Sequence, residues 1–132
     1  MKIVSKIGHI RKSAATIYEF LSDFRNFEKL VPTDKIQDWT CTSDTCNFSI
    51  MGIGKASLKI TEKTPVNFIK IVSDQETPVK FVLWADIDPV DETSSELKIT
   101  IDPDISPVML TMIKSQLKSF LDMLIGEVEK IN

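Results

Sequence analysis

The chain has 132 residues, of which 42% are hydrophobic and 27% charged, the composition of a globular protein and the length of one domain, 1–132. Its net charge of -3, with lysines and acidic residues interspersed, argues against a nucleic-acid partner and a polybasic membrane patch. The longest apolar run, 81–85, is too short for stable membrane insertion, and residues 1–6 lack the apolar stretch of a secretory signal. We therefore expect a single cytoplasmic domain.

The N-terminal part of the chain predicts a strand followed by two helical segments. Residues 2–10 mix β-branched and polar side chains, as strands do. Ser13 is a candidate N-cap for a helix, because apolar residues then recur at helical spacing at Ile17, Phe20, Leu21 and Phe24. Residues 23–31 add one or two further helical turns before Pro32 ends them.

From residue 39 to about residue 102 the apolar residues recur with a period of two. Residues 39–41 and 48–50 alternate around the turn 42–45, which predicts a hairpin with one apolar face. The same alternation recurs at residues 56–60, 69–71 and 97–101. Residues 81–85 are apolar at both parities, so the pattern alone does not fix the side of Trp84. Phe81, Leu83, Ala85 and Ile87 form the cleaner inward set, which would place Trp84 outside. We count six consecutive strands with short connections, which predicts an antiparallel meander with one solvated face.

The C-terminal segment predicts one long amphipathic helix. Ser106 followed by Pro107 is a strong helix start. The apolar stripe that follows consists of Met109, Ile113, Leu117, Phe120, Leu124, Val128 and Ile131. A helix of roughly 24 residues needs a long concave surface to bury such a stripe, and the six strands are the candidate. We place Leu110, Leu121 and Ile125 on the outer side, where they could pack on the first helices, mediate a dimer or cap a pocket.

Several stretches resemble the START-like superfamily, also called the Bet v 1-like or SRPBCC (polyketide cyclase/dehydrase and lipid transport) superfamily. Residues 10–23 resemble its strand-to-helix opening, although Ala14 stands where the family commonly has proline. Pro32 and Trp39 fall where the family often has a proline and an aromatic residue, and residues 51–54 resemble its glycine-containing turn. The resemblance implies the α+β helix-grip fold, β-α-α-β6-α, in which a curved seven-stranded antiparallel sheet surrounds the long C-terminal helix.

The resemblance also implies a cavity between the sheet and that helix. Our leading hypothesis is non-catalytic binding or carriage of a small hydrophobic molecule, such as a lipid, polyketide or aromatic compound. The expected lining is Trp39, Phe48, Ile50, Leu58, Ile71, Leu83, Ile99, Met109, Met112, Ile113, Gln116, Leu117 and Phe120. Phe24, Phe27 and Leu30 are expected to guard the entrance, and Gln116 is the candidate to orient a polar group of the ligand.

Two alternatives to this hypothesis stay open. One is a polyketide cyclase/dehydratase-like enzyme, which needs inward polar residues of which the sequence offers few beyond Gln116 and Tyr18. The other is a protein-interaction module without a ligand, which would use Trp84 and the outer face of the C-terminal helix, and a homodimer belongs to this alternative.

The histidine, the two cysteines and the clustered acidic residues do not predict a catalytic group, a metal site or a cofactor. His9 is the single histidine and is expected at the surface. Cys41 and Cys46 are expected to face each other across the hairpin as two thiols in contact, because a reducing cytoplasm disfavours a disulfide. The acidic residues between 86 and 104 lack the spacing of a calcium loop and are expected to be solvated.

Overall fold

The computed structural model describes residues 2–29, 36–50, 54–64, 67–73 and 80–130. Its strands are β1 (Ile3–Val4), β2 (Gly8–Ile10), β3 (Ile36–Cys41), β4 (Thr45–Ile50), β5 (Gly54–Thr64), β6 (Phe68–Ser73), β7 (Phe81–Asp91) and β8 (Ser94–Pro103). The helices are α1 (Ala14–Leu21), a 3₁₀ helix (Phe24–Lys29) and α2 (Pro107–Glu129). The order of elements confirms the predicted helix-grip arrangement.

All strands join one curved antiparallel sheet. The strand order is β1-β8-β7-β6-β5-β4-β3, and β2 also pairs with β8, so the six later strands form the predicted meander. Register places one row of apolar residues directly opposite one another across five strands. This row consists of Ile3, Ile101, Leu83, Ile71 and Ile60. It defines the inner face of the sheet.

The predicted N-terminal strand is interrupted between β1 and β2, and Ser5 lies in the gap. Its backbone N–H donates to the Ile99 carbonyl at 2.8 Å, and its hydroxyl accepts from the Ile99 N–H at 2.9 Å. The serine side chain thus replaces a backbone acceptor, and the chain leaves the regular ladder for residues 5–7 without losing hydrogen bonds at Ile99.

The β3–β4 hairpin has the predicted register. The Thr42 N–H donates to the Thr45 carbonyl at 2.9 Å, and Cys41 lies directly opposite Cys46 with their Cα atoms 4.1 Å apart. The structure joins the two cysteines in a disulfide, so the expectation of two separate thiols is not what the fold contains. Side chains at such directly opposed positions are close enough to bond without a change in register.

Both α-helices begin where the sequence predicted. The hydroxyl of Ser13 accepts from the Thr16 N–H, and that of Ser106 accepts from the Met109 N–H, each at 3.2 Å. The second helical segment is the 3₁₀ helix, and the Phe24 N–H at its start donates to the Ser43 carbonyl at the tip of the β3–β4 hairpin. This hydrogen bond fixes the 3₁₀ helix to the hairpin.

Asp23 immediately precedes the 3₁₀ helix and is held by Arg25. The Arg25 guanidinium donates to the carboxylate at 2.6 Å, and the Arg25 backbone N–H donates to it at 3.0 Å. These hydrogen bonds stabilise the charged carboxylate and lower the pKa of Asp23.

The rotation of α2 about its axis differs from the prediction. Leu110, Leu121 and Ile125, which we placed outside, are 4%, 0% and 0% exposed and belong to the core. Met109 and Met112, which we placed inside, are 48% and 72% exposed. The prediction was wrong because α2 carries apolar residues around more than half of its circumference, so the spacing alone did not fix which arc faces the sheet.

The polar flank of α2 runs along β1 and β2. Lys118 donates to the Val4 carbonyl at 3.2 Å. Asp122 accepts from the Lys6 N–H at 2.7 Å, and Glu129 accepts from the His9 N–H at 3.0 Å. Since these contacts occur in the same order along both segments, the helix and the N-terminal segment run in the same direction, and the first turns of α2 extend beyond the start of β1.

Gly8 in β2 is required where this strand meets α2. A Cβ atom added there would stand 2.5 Å from Cγ2 of Ile125, which is fully buried. We expect Gly8→Ala to destabilise the fold by about 1–3 kcal/mol through overpacking. Gly126→Ala is the matched control, because an added Cβ meets nothing within 4 Å, and we expect a gain of up to about 1 kcal/mol from helix propensity. Urea denaturation measures both, and equal effects would contradict the close approach.

The corrected rotation of α2 predicts opposite outcomes for two substitutions in one helix. Leu121→Ala should cost about 2–5 kcal/mol of unfolding free energy, because a fully buried leucine leaves a cavity. Met112→Ala should change that free energy by less than about 0.5 kcal/mol, because the side chain is largely in solvent. Thermal denaturation followed by circular dichroism compares the two, and a larger loss for Met112→Ala would restore the original assignment.

Candidate functional site

One end of the concave face is sealed by α1 and the second half of α2. On the sheet, Ile69, Ile87 and Leu97 are at most 1% exposed, and Ile17 of α1 is 0% exposed. The Ser95 hydroxyl donates to the Lys12 carbonyl at 2.9 Å and fixes the start of α1 to this end. Apolar side chains of the sheet, α1 and α2 pack together in this region, which is therefore part of the hydrophobic core.

At the other end, inner-face residues of the sheet remain partly exposed. The inner positions of β5 and β7 here are Leu58, Phe81 and Leu83, and all three are only partly buried. Strand pairing places this group next to the β3–β4 hairpin, because Leu58 of β5 lies directly opposite Cys46 of β4. Phe81 lies opposite Pro103, just before the connection to α2, so this open end is the end at which α2 begins.

The helix presents a matching apolar flank. Ile113, Leu117 and Phe120 are partly buried and lie on the opposite flank of α2 from Lys118 and Asp122. The polar flank faces β1 at the sheet edge, so the apolar flank faces the interior strands. Among the described elements, the extensive backbone contacts of α2 are with β1, β2 and β8. The inner flank of α2 and the inner positions of β5 and β7 therefore both carry partly exposed apolar side chains.

The predicted lining residues divide into three groups in the structure. Phe48, Ile71 and Ile99 are buried in the core, whereas Met109, Met112 and Gln116 lie on the exposed side of α2. The third group is partly exposed on the inner flank of α2, on β5 and β7, or at the β3 end of the sheet: Trp39, Leu58, Leu83, Ile113, Leu117 and Phe120. The side chain of Ile50 lies outside the described residues. The exposure of Gln116 does not fit the role of orienting a ligand.

The expected entrance residues are also distributed differently. Phe24 is 0% exposed and packs edge-to-face on the partly buried Phe27, with ring centroids 5.3 Å apart. Leu30 lies outside the described residues. Sequence reasoning omitted Phe81 from the lining, although its alternation with Leu83 and Ala85 had already assigned it to the inner face.

At the open end, the described inner positions of β5, β6 and β7 carry no charged side chain, since they are Leu58, Ser73, Phe81 and Leu83. Lys63 of β5 lies opposite the buried Ile69 further along the sheet, and its ammonium donates to Asp44 at 2.9 Å. The Ser73 hydroxyl is a polar group at the open end, and it accepts from the Phe81 N–H at 2.9 Å. Within the described ranges, no group of three or more His, Cys, Asp or Glu is placed to hold a metal ion. The arrangement favours apolar contact over acid–base chemistry, which needs converging ionisable groups.

The other candidate residues lie outside this region. Trp84 faces the outer side of the sheet, as predicted, between Lys70 and Thr100, and Lys2 Nζ lies 5.0 Å from its ring centroid. His9 Nδ1 is 3.0 Å from a carboxylate oxygen of Glu96 on the opposing strand, and its side chain is 75% exposed, at the surface as expected. No helix in the described part of the chain is long and apolar enough to cross a membrane.

Comparison with known proteins identifies the fold. No protein-family profile and no curated protein sequence matches the chain. A START superfamily protein from Mycobacterium smegmatis superposes with a TM-score of 0.74 over 99% of both chains at 16% identity. Norcoclaurine synthase from Thalictrum flavum, solved with dopamine and hydroxybenzaldehyde, has a TM-score of 0.69 at 12% identity, covering 100% of this chain and 88% of its own.

A third similar structure is the di-domain ARO/CYC protein BexL of the BE-7585A biosynthetic pathway. It superposes with a TM-score of 0.67 at 12% identity, over 98% of this chain and 46% of its own length. Identities this low establish architecture and leave activity open. Together with the strand order and the position of α2, these likenesses show that the chain has the START/Bet v 1-like helix-grip fold.

Proposed function

We propose that the chain binds a small hydrophobic molecule, without catalysis, between the first half of α2 and the inner face of β5 and β7. One observation supports the proposal: apolar side chains on the inner flank of α2 and on the inner face of β5 and β7 are left partly exposed. At the closed end of the same sheet face, Ile69, Ile87 and Leu97 are at most 1% exposed. Apolar surface left open in this way is typical of ligand sites.

Burial of that surface would drive binding. Each Å² of apolar surface removed from water contributes about 25 cal/mol, before the cost of immobilising the ligand. Since Leu58, Phe81 and Leu83 at this end of the inner face carry no charge, a charged ligand would lose hydration there without gaining an ion pair with them. The proposal therefore favours uncharged ligands. Norcoclaurine synthase, solved with two small aromatic compounds, shows that this fold accommodates such molecules in another protein.

The test uses a neutral fluorescent probe and two matched variants of α2. N-phenyl-1-naphthylamine brightens in apolar surroundings, and we expect saturable binding to the wild-type protein. Leu117→Arg places a charge on the inner flank and should weaken binding at least about tenfold, because the guanidinium remains hydrated in the site. Met112→Arg, on the exposed side of the same helix, should change the affinity less than about twofold.

Native mass spectrometry of protein from its own cells provides the second measurement. We expect an additional mass that organic extraction removes. Absence of both a retained mass and saturable probe binding would contradict the proposal, as would equal weakening by the two arginine variants.

A further inference from the structure

Trp39 has a buried hydrogen-bond donor that no described residue accepts from. Its indole nitrogen Nε1 is shielded from solvent, and within the described residues it has no hydrogen-bond partner. A buried tryptophan N–H usually finds an acceptor, and leaving it unsatisfied costs about 1–3 kcal/mol. The buried hydroxyls of Ser5 and Ser95, by contrast, both have hydrogen-bond partners. Trp39 is therefore an exception within this core.

The backbone beside Trp39 is also unusual. Asp38 has φ = 58°, the left-handed region that non-glycine residues adopt at a cost of about 1–2 kcal/mol. The register of β3 against β4 shifts between Gln37 and Thr40, so Asp38 and Trp39 together lie opposite Phe48. Such a bulge redirects side chains and is common beside functional sites. Backbone strain likewise concentrates where a ligand is held.

The bulge places the indole against Phe48. Trp39 stacks on the Phe48 ring, with centroids 5.0 Å apart and planes inclined by 27°. The indole is partly exposed although its nitrogen is covered. Next to this pair, the inner face continues through Cys41, Cys46 and Leu58 towards the open wall of the proposed site. The donor thus lies at the β3 end of an otherwise apolar and uncharged surface.

We propose that the Trp39 indole N–H is the polar anchor of the binding site, and that the ligand is an uncharged aromatic molecule with a carbonyl oxygen. This inference rests on the proposed function and specifies its ligand class. The carbonyl accepts the hydrogen bond that the fold leaves open, while the aromatic body lies along the apolar surface beside Phe48 and Leu58. Because neighbouring atoms cover Nε1, the indole or a neighbour turns aside as the ligand enters.

The test compares two ligands of the same shape, 9-fluorenone and fluorene, which differ by the carbonyl oxygen. Trp39→Phe keeps an aromatic ring against Phe48 and removes the donor. We expect this variant to bind fluorenone about tenfold more weakly than the wild type and fluorene within about threefold, because one hydrogen bond is lost for fluorenone alone. Trp84→Phe is the matched control on the outer face and should alter neither affinity.

A spectroscopic measurement keeps the proposal testable if Trp39→Phe fails to fold. The Trp84→Phe protein has one indole, since the sequence contains two tryptophans. Its single indole N–H resonance belongs to Trp39, and we expect fluorenone to move it downfield and fluorene to leave it nearly unchanged. A Trp39 resonance that does not move at saturating fluorenone would overturn the proposal.

The outcomes separate this inference from the proposed function. Equal weakening of fluorenone and fluorene by Trp39→Phe would overturn the anchor, because stacking alone would then explain the effect, and the proposed site would remain. Failure of both ligands to bind, with N-phenyl-1-naphthylamine still binding, would also overturn the anchor alone. Failure of all three probes to bind the wild-type protein would contradict both proposals.

Discussion

The fold depends on how α2 is attached to the N-terminal segment. The amide of Lys6, in the gap between β1 and β2, donates to the carboxylate of Asp122, and the amide of His9, within β2, donates to the carboxylate of Glu129. Charge-assisted hydrogen bonds to backbone N–H groups are stronger than neutral ones and satisfy donors that would otherwise need water. Between these two contacts, Ile125 packs closely over Gly8. The helix is thereby held along one edge of the sheet.

This attachment divides the concave face into two regions. The second half of α2 and α1 close the region around Ile69, Ile87 and Leu97, which becomes the hydrophobic core. The first half of α2 extends past the start of β1, and its apolar flank stays partly exposed, as do Leu58 and Leu83 on the inner face of the sheet. A stable core and an open apolar surface therefore come from one sheet and one helix, because the helix is longer than the N-terminal segment that holds it.

Residue periodicity predicted most of the architecture. The alternation in β3 to β8, the N-caps Ser13 and Ser106 and the pairing of Cys41 with Cys46 are all local signals, and the structure confirms them. Local signals suffice there because strand parity and helix capping depend on neighbouring residues.

What the sequence did not predict depends on contacts between distant residues. The rotation of α2 follows from hydrogen bonds between residues more than 110 positions apart, such as Lys6 with Asp122. The only local clue was Gly8, a small residue that permits close approach of a helix. The bulge at Asp38 cannot be predicted from the alternation of apolar and polar residues either. The regular pattern already places Trp39 on the inner face, and Trp39 is still on that face when the bulge is present. Three-dimensional packing also determines that the indole N–H finds no acceptor in the part of the chain that the structure describes.

The central claim is that the first half of α2 and the inner face of β5 and β7 enclose apolar space that the protein does not fill. Crystals of the protein pressurised with xenon test it most directly, because xenon occupies apolar cavities. The account predicts ordered xenon between Leu117 of the helix and the pair Leu58 and Leu83 of the sheet. A structure in which these side chains meet in van der Waals contact, with no xenon between them, would contradict it.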